Sequence, residues 1–321
     1  MNGTFYEFRI YFEPFCLLGF LILMVGFLGN LFVILGTLNK KSKLTNKPNY
    51  LICLLAVVDF LTTIGFMQIS VMVWYGFVFL PNHHCFYSSV PQIFFMNIGS
   101  FLTWAAGLDR VFMLKFPIKY SQWKTRSYLV ALCLPAVAYS TVGVFLGFWF
   151  ANPNVTVAVC MPPTALYGLA NVFWVFSNLL LNVLVIITNL ITFFLTKNSQ
   201  QNSAATSRMM KRIGESVIIV GCVFVCSWAT TILILAGLHI FTVSAFTKFH
   251  GSLYVGWGAY INVSCNGVIY GWRSVEYRRE YARVLGLERM VPSTTSAASV
   301  TYKRSHTSRR VSPAPERNRR N

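Results

Sequence analysis

The sequence predicts an all-α membrane protein: a bundle of seven transmembrane helices, a short amphipathic helix on the inner surface and a disordered C-terminal tail. Two observations carry that fold class. Of the 321 residues 55% are hydrophobic and only 11% are charged, less than half the roughly 25% of a soluble domain, and the mean hydropathy is +0.56. The charges are also missing in long blocks: none falls in residues 127–196, 216–247 or 249–272, and Asp59 is the only one between Pro48 and Leu108. A bilayer core of about 30 Å takes about 20 apolar residues per helix. Runs of this length without period-2 alternation exclude a barrel and leave helices as the spanning structure.

The elements follow in order. Residues 1–13 form an extracellular N-terminus and span one runs over about 14–38. It has no basic segment before it and is too long for a cleaved signal, so it reads as a retained helix. A Lys-rich loop separates it from span two at about 50–74, and span three occupies about 90–116. Span four, about 128–150, ends at a polar, proline-containing break from Asn152-Pro153-Asn154 to Pro162-Pro163, which sets off span five at about 167–195. Spans six, about 213–238, and seven, about 251–272, complete a membrane domain of residues 14–272. In 273–287, Val275, Tyr277, Tyr281 and Val284 alternate with Arg and Glu, the pattern of a helix lying on a membrane surface. Residues 288–321 are rich in Ser, Thr, Arg and Pro, cannot bury a core, and are expected to be disordered.

Orientation follows from the basic residues. Of the 27 Lys and Arg, 25 fall in the three loops on one side or after span seven, and only Arg9 and Lys248 fall on the other. The N-terminus is therefore expected outside and the C-terminus inside, in a multi-pass protein of the plasma membrane. A net charge of +18 would suggest nucleic acid in a soluble protein; here it is a topology signal, and the lipid bilayer is the partner, not nucleic acid. Sequons at Asn2 and Asn154 fall in outer segments and are glycosylation candidates, while the one at Asn262 lies inside span seven.

Catalysis needs several polar groups converging at one place, yet the membrane core offers little beyond Asp59, Asp109, Arg110 and Glu215. There is no phosphate loop, no metalloprotease motif and no second buried acid to pair with Asp59, so no enzyme and no cofactor are expected. A transporter would show repeated halves and broken helices; no repeat is found, and a transporter stands as the alternative class. An acid at mid-membrane costs about 2.5–3.5 kcal/mol on insertion scales, which marks Asp59 as functional. Asn30, Asn262 and Asn266 lie at comparable depth, either to help hold a small cation such as sodium at Asp59 or only to orient the helices. Among eight cysteines, Cys85 at the head of span three and Cys160 in the loop after span four both face the oxidising side, with Cys16 as a competing partner. Histidines 83, 84, 239 and 250 read as solvated loop residues.

Several short motifs then resemble, in order, the rhodopsin-like G-protein-coupled receptors. Gly29-Asn30 and Leu55-Ala56-Val57-Val58-Asp59 resemble the signatures of the first two helices. Asp109-Arg110-Val111, followed by Pro117-Ile118-Lys119-Tyr120, resembles the Asp-Arg-Tyr motif and its inner loop. Phe224 and Trp228 resemble the aromatic switch of helix six, and Asn266-Gly267-Val268-Ile269-Tyr270 the Asn-Pro-x-x-Tyr motif of helix seven. The Cys160-Met161-Pro162-Pro163 run is similar to the nematode serpentine chemoreceptors of the SX class. The resemblance covers about 270 residues.

It implies a receptor that binds an extracellular ligand and activates a heterotrimeric G protein. It implies a Cys85–Cys160 disulfide, an activation core of Asn30, Asp59, Phe224, Trp228, Asn262 and Asn266, and coupling through Asp109, Arg110, Pro117, Ile118 and Tyr270, with Arg110 freed from Asp109 on activation. Arrestin and receptor kinases would act at the tail. Gln92 stands where amine receptors place an acid, so a neutral small chemosensory molecule is expected, with Ile93, Met96, Trp228, Thr231, Trp257 and Tyr260 as pocket candidates. A neuropeptide contacting Glu7 and Glu13 is the alternative ligand. There are departures: Val111 replaces the motif Tyr, Gly267 and Thr230 replace the prolines of helices seven and six, and Met210 stands where some relatives carry an acid that pairs with the helix-three Arg.

Overall fold

The computed structural model describes residues 2–39, 46–77, 79–199, 219–241 and 245–287. The expected tail, Met210, and Glu215 at the start of the expected span six lie outside the described residues. The chain is a helix bundle: α1 (Asn2–Leu38), α2 (Lys47–Trp74), α3 (Asn82–Lys115), a short α4 (Pro117–Gln122), α5 (Thr125–Phe150), one-turn α6 (Pro162–Ala165) and α7 (Leu169–Ser199). Residues 219–224 (α8), a π-helical turn Val225–Ala229 and α9 (Thr230–Ile240) make one continuous helix, followed by α10 (Ala245–Arg273) and α11 (Val275–Val284). α1 begins at Asn2, so most of the segment expected as an extracellular N-terminus is helical, and α3 begins eight residues before the expected start at Val90.

Cys16–Leu38, Lys47–Trp74, Thr125–Phe150, Leu169–Asn198 and Ile219–Ile240 are long and apolar enough to cross a bilayer. α3 and α10 are as long but more polar, and their place explains it. α3 packs against α2, α5, α6 and α7, and α10 against α1, α2 and α9. A helix enclosed by protein can carry Gln92, Asn97, Ser100 and Asp109, all buried, where a helix facing lipid could not.

α1 and α10 meet through small residues. A Cβ on Gly267 would run into the backbone of Gly29, and one on Gly26 would meet Ser264, which is the close helix approach that glycine permits in membranes. The helix-seven proline of the resembled family is thus replaced by a residue this contact requires. Below it, Ser274 caps α11 by accepting from the Tyr277 amide at 3.3 Å. Tyr277 buries against Val33 and Ala56, and the Tyr281 hydroxyl donates to the Gly267 carbonyl at 2.9 Å.

At the other end the loop after α2 and the loop after α5 pair as a two-stranded antiparallel ribbon, β1 (Leu80–Pro81) with β2 (Thr156–Val157), an element the sequence does not announce. The Cys85–Cys160 disulfide, with Cα atoms 5.3 Å apart, closes beside it; Cys16 is buried in α1, outside that bond. Buried Asn82 ties the same region together. Its amide nitrogen donates to the Thr164 and Ala165 carbonyls at 3.1 and 2.9 Å, and its oxygen accepts from the Asn152 amide at 3.0 Å.

Candidate functional site

Two small cavities lie one above the other in the bundle. The outer one is walled by Phe66, Met96, Trp174, Trp228, Leu235 and Tyr260, with Thr231, Ser252, Gly256 and Ala259 filling the sides. Met161, Pro162 and Pro163 cover it. They directly follow Cys160, so the disulfide to the head of α3 pins them over the bundle. The lid is stiffened further by Thr164, whose hydroxyl accepts from the Met161 amide at 3.0 Å and donates to the Val159 carbonyl at 2.6 Å. The room inside for water-sized occupants is about 30 Å³. A single water needs roughly 10–15 Å³ on that measure, so any larger molecule enters only as the walls part.

The inner cavity is polar. Asp59, Thr62, Ser100, Thr103 and Asn262 line it together with Met96, Phe224 and Trp228, and its room of about 20 Å³ suits one or two waters or a small cation. Asp59, buried on α2, accepts from the Asn266 amide at 2.7 Å, and Asn30 on α1 donates to the Val263 carbonyl at 3.0 Å. These bonds hold α10 to both α1 and α2. Met96 and Trp228 are walls of both cavities, so one layer of side chains separates the apolar space from the polar one.

Trp228 sits in the π-helical turn. Hydroxyls follow the turn closely: Thr230 donates to the Val225 carbonyl at 2.6 Å, five residues back, and Thr231 donates to the carbonyls of Ser227 at 2.9 Å and of Val255 on α10 at 3.0 Å. A Cβ on Gly258 would collide with Thr231 Oγ1 and the Ser227 carbonyl, so glycine lets α10 lie directly on the turn.

Of the pocket residues expected from sequence, Met96, Trp228, Thr231 and Tyr260 line the outer cavity. Gln92 and Ile93 are buried elsewhere on α3: Gln92 packs on Gly65, and its Nε2 has no hydrogen-bond partner among the described residues. Trp257 is part-buried and outside the lining. Sequence reasoning missed Phe66, Trp174 and the Met161–Pro163 lid as walls. Trp174 had a legible sign, a polar group in an apolar helix: its indole donates to Asn97 at 3.0 Å, and its ring meets Trp228 edge-on with centroids 6.4 Å apart.

At the inner end of α3, Asp109 is 2% exposed. Its Oδ1 accepts from the hydroxyls of Tyr120 at 2.8 Å and Tyr128 at 2.9 Å, and among the described residues no ion pair joins it to Arg110. Burial and the Asp109 charge push the Tyr120 phenol above its usual range, which keeps its hydroxyl a donor. Lys47 donates to the Tyr120 carbonyl. Pro117 opens α4, placing Ile118 74% exposed. Tyr270 packs on Tyr277 with ring centroids 5.7 Å apart. Of the glycosylation candidates, Asn154 is exposed and the side chain of Asn2 lies outside the described residues. Among the described residues no group of three or more His, Cys, Asp or Glu is placed to hold a metal.

A family model described as the serpentine type 7TM GPCR chemoreceptor Srsx matches residues 23–285. The match takes in both cavities, the Asp109 cluster and all of α11. No curated protein matches the chain.

Proposed function

Because the chain belongs to the Srsx family of serpentine 7TM GPCR chemoreceptors, we propose that it is a plasma-membrane receptor, not an enzyme, for a small, neutral, largely apolar external ligand. In this reading α1, α2, α3, α5, α7, the Ile219–Ile240 helix and α10 cross the bilayer, with the N-terminus outside. α11 lies along the inner surface, and the tail is available to kinases and arrestin. The ligand opens the outer cavity beneath the Met161–Pro163 lid and shifts a two-state bundle toward the form it binds better. Asp59, Ser100 and Asn262 supply oxygens suited to a small cation in the inner cavity. Coupling to a heterotrimeric G protein is assigned to the inner surface around Arg110, Ile118 and Tyr270.

One observation carries the reading: Met96 and Trp228 belong to both cavities. A molecule that displaces either ring or thioether in the apolar space necessarily reshapes the polar chamber, and the Trp228 backbone is the π-helical turn of helix six. Expression with a promiscuous G protein and a screen of neutral volatile compounds tests it. A second-messenger response that depends on the G protein is expected; uptake of a compound without such a response would favour a transporter.

A further inference from the structure

Resting on the proposed coupling to a G protein, we propose that Lys47 is a positioning residue for Asp109: it holds the two phenols that donate to this carboxylate, and so leaves Arg110 available at the inner surface. A carboxylate as buried as Asp109 needs a counter-charge as well as hydrogen bonds. Two cations, Arg110 and Lys47, are near it, and neither makes an ion pair with it among the described residues. Arg110 is its neighbour on α3, but adjacent helix positions do not face each other, and the two make no ion pair among the described residues.

Lys47 comes from the first turn of α2 and is 9% exposed. Its ammonium donates to the Tyr120 carbonyl and lies over the Tyr120 and Tyr128 rings, 4.6 and 5.9 Å from their centroids. The hydroxyls of those same two rings are the donors to Asp109. The buried cation and the buried anion thus sit on opposite parts of one pair of phenols. A cation on a ring face draws electron density from the ring and makes its hydroxyl a stronger donor, so the charges are coupled through the rings without touching. The position of Lys47 supports this. A cation at a helix N-terminus is at the unfavourable end of the dipole, and a buried ammonium there is held only by what surrounds it.

The sequence adds a second point. By the resemblance, Met210, which lies outside the described residues, stands where some relatives carry an acid that pairs with this Arg, and a thioether cannot form that pair. With Asp109 held by the phenols that Lys47 engages, its pull on Arg110 is weakened, and ligand-independent signalling is the expected consequence. In Lys47→Met the phenols lose that cation, and Arg110, next to Asp109 on α3, is drawn onto it.

Two measurements test the proposal. In full-length purified receptor, thermal melting of Lys47→Met, Asp109→Asn and the double variant should show strong non-additivity, the double variant losing clearly less than the sum of the singles. Arg110→Met and Asp109→Asn should add. Where Lys47→Met does not accumulate, Lys47→Gln makes the same comparison, and Lys47→Arg should keep most of the wild-type melting temperature. Additive losses for Lys47 with Asp109, or coupling of Asp109 to Arg110 instead, overturn the assignment. In cells with a promiscuous G protein and no added ligand, Lys47→Met should signal about tenfold less than wild type at equal surface expression, the effect of about one charge-assisted hydrogen bond. Adding Asp109→Asn to Lys47→Met should raise signalling several-fold again, a recovery that a merely structural defect would not show. Intact melting coupling with no signalling from any variant sinks the G-protein reading and leaves the charge assignment standing.

Discussion

Met96 and Trp228 touch both cavities, so single side chains at this layer should have large effects on response. Met96→Trp fills a space with room for only a few waters, and overpacking of this kind costs typically 1–3 kcal/mol where the walls cannot move. It should shift the potency of an agonist found in the screen by about tenfold or more while surface expression holds. Gln92→Leu is the contrast. Its Nε2 is buried without a hydrogen-bond partner among the described residues, and the residue lies away from the cavity lining, so removing the amide should leave potency unchanged and stability equal or better by about 1 kcal/mol. A loss of potency in Gln92→Leu would put the ligand deeper along α3 than the outer cavity. At the inner end, Arg110→Ala should keep ligand binding and surface expression but lose most G-protein signalling, because no other side chain offers the same fixed fork of donors. Full signalling at equal expression would remove Arg110 from the coupling surface.

At the scale of elements, glycine sets where helices can touch. Gly267→Val would drive a side chain into the backbone of Gly29, separating α10 from α1 and releasing the Tyr281 hydroxyl from the Gly267 carbonyl. A loss of about 2 kcal/mol or more is expected from overpacking and the broken bond, read as a lower melting temperature and reduced surface receptor. Gly237→Ala on α9 is the control: among the described residues nothing lies within 4 Å of its added Cβ. Restricting the unfolded chain there should leave stability unchanged or raise it by about 0.4–1 kcal/mol. The Ile219–Ile240 helix makes a related point. It has Thr230 where a proline was expected by resemblance, and a π-helical turn lies immediately before it. Such turns, like prolines, are recognised sites of helix irregularity at functional positions. The proline was legible as missing, but its replacement was not, because a π turn has no composition of its own and here depends on Thr231 reaching Val255 across to α10.

For the whole molecule, the partition of basic residues predicts which loops face outward. Glycosidase treatment should shift the mobility of the wild-type receptor, Asn2→Gln with Asn154→Gln should abolish the shift, and Asn262→Gln should not. A C-terminal epitope reachable on intact cells would reverse the topology. The disulfide should matter on the same scale, since it fixes the lid over the bundle: Cys85→Ala should lower surface expression, closure of such a loop being worth roughly 2–4 kcal/mol. Free thiol labelling of both Cys85 and Cys160 in native receptor would contradict the pairing.

Apolar runs, the charge partition and the order of short motifs are properties of neighbouring residues, and burial in a low-dielectric slab writes them into the sequence directly. They were sufficient for a helical membrane protein of the serpentine receptor class. Contacts between distant residues had no such imprint. Cys160 was the expected partner of Cys85 by resemblance, but Cys16 stayed a competitor until the fold placed the Cα atoms of Cys85 and Cys160 5.3 Å apart. Asp109 was expected as the partner of Arg110 by resemblance alone. The packing of α3, α4 and α5 brings it the hydroxyls of Tyr120 and Tyr128, and Lys47 on α2 reaches the carbonyl of Tyr120, 73 residues away. The lid and the two-cavity arrangement belong to the same group. Which polar group meets which is decided by helix packing, since every buried charge must find its partner among whatever side chains the close-packed bundle places beside it.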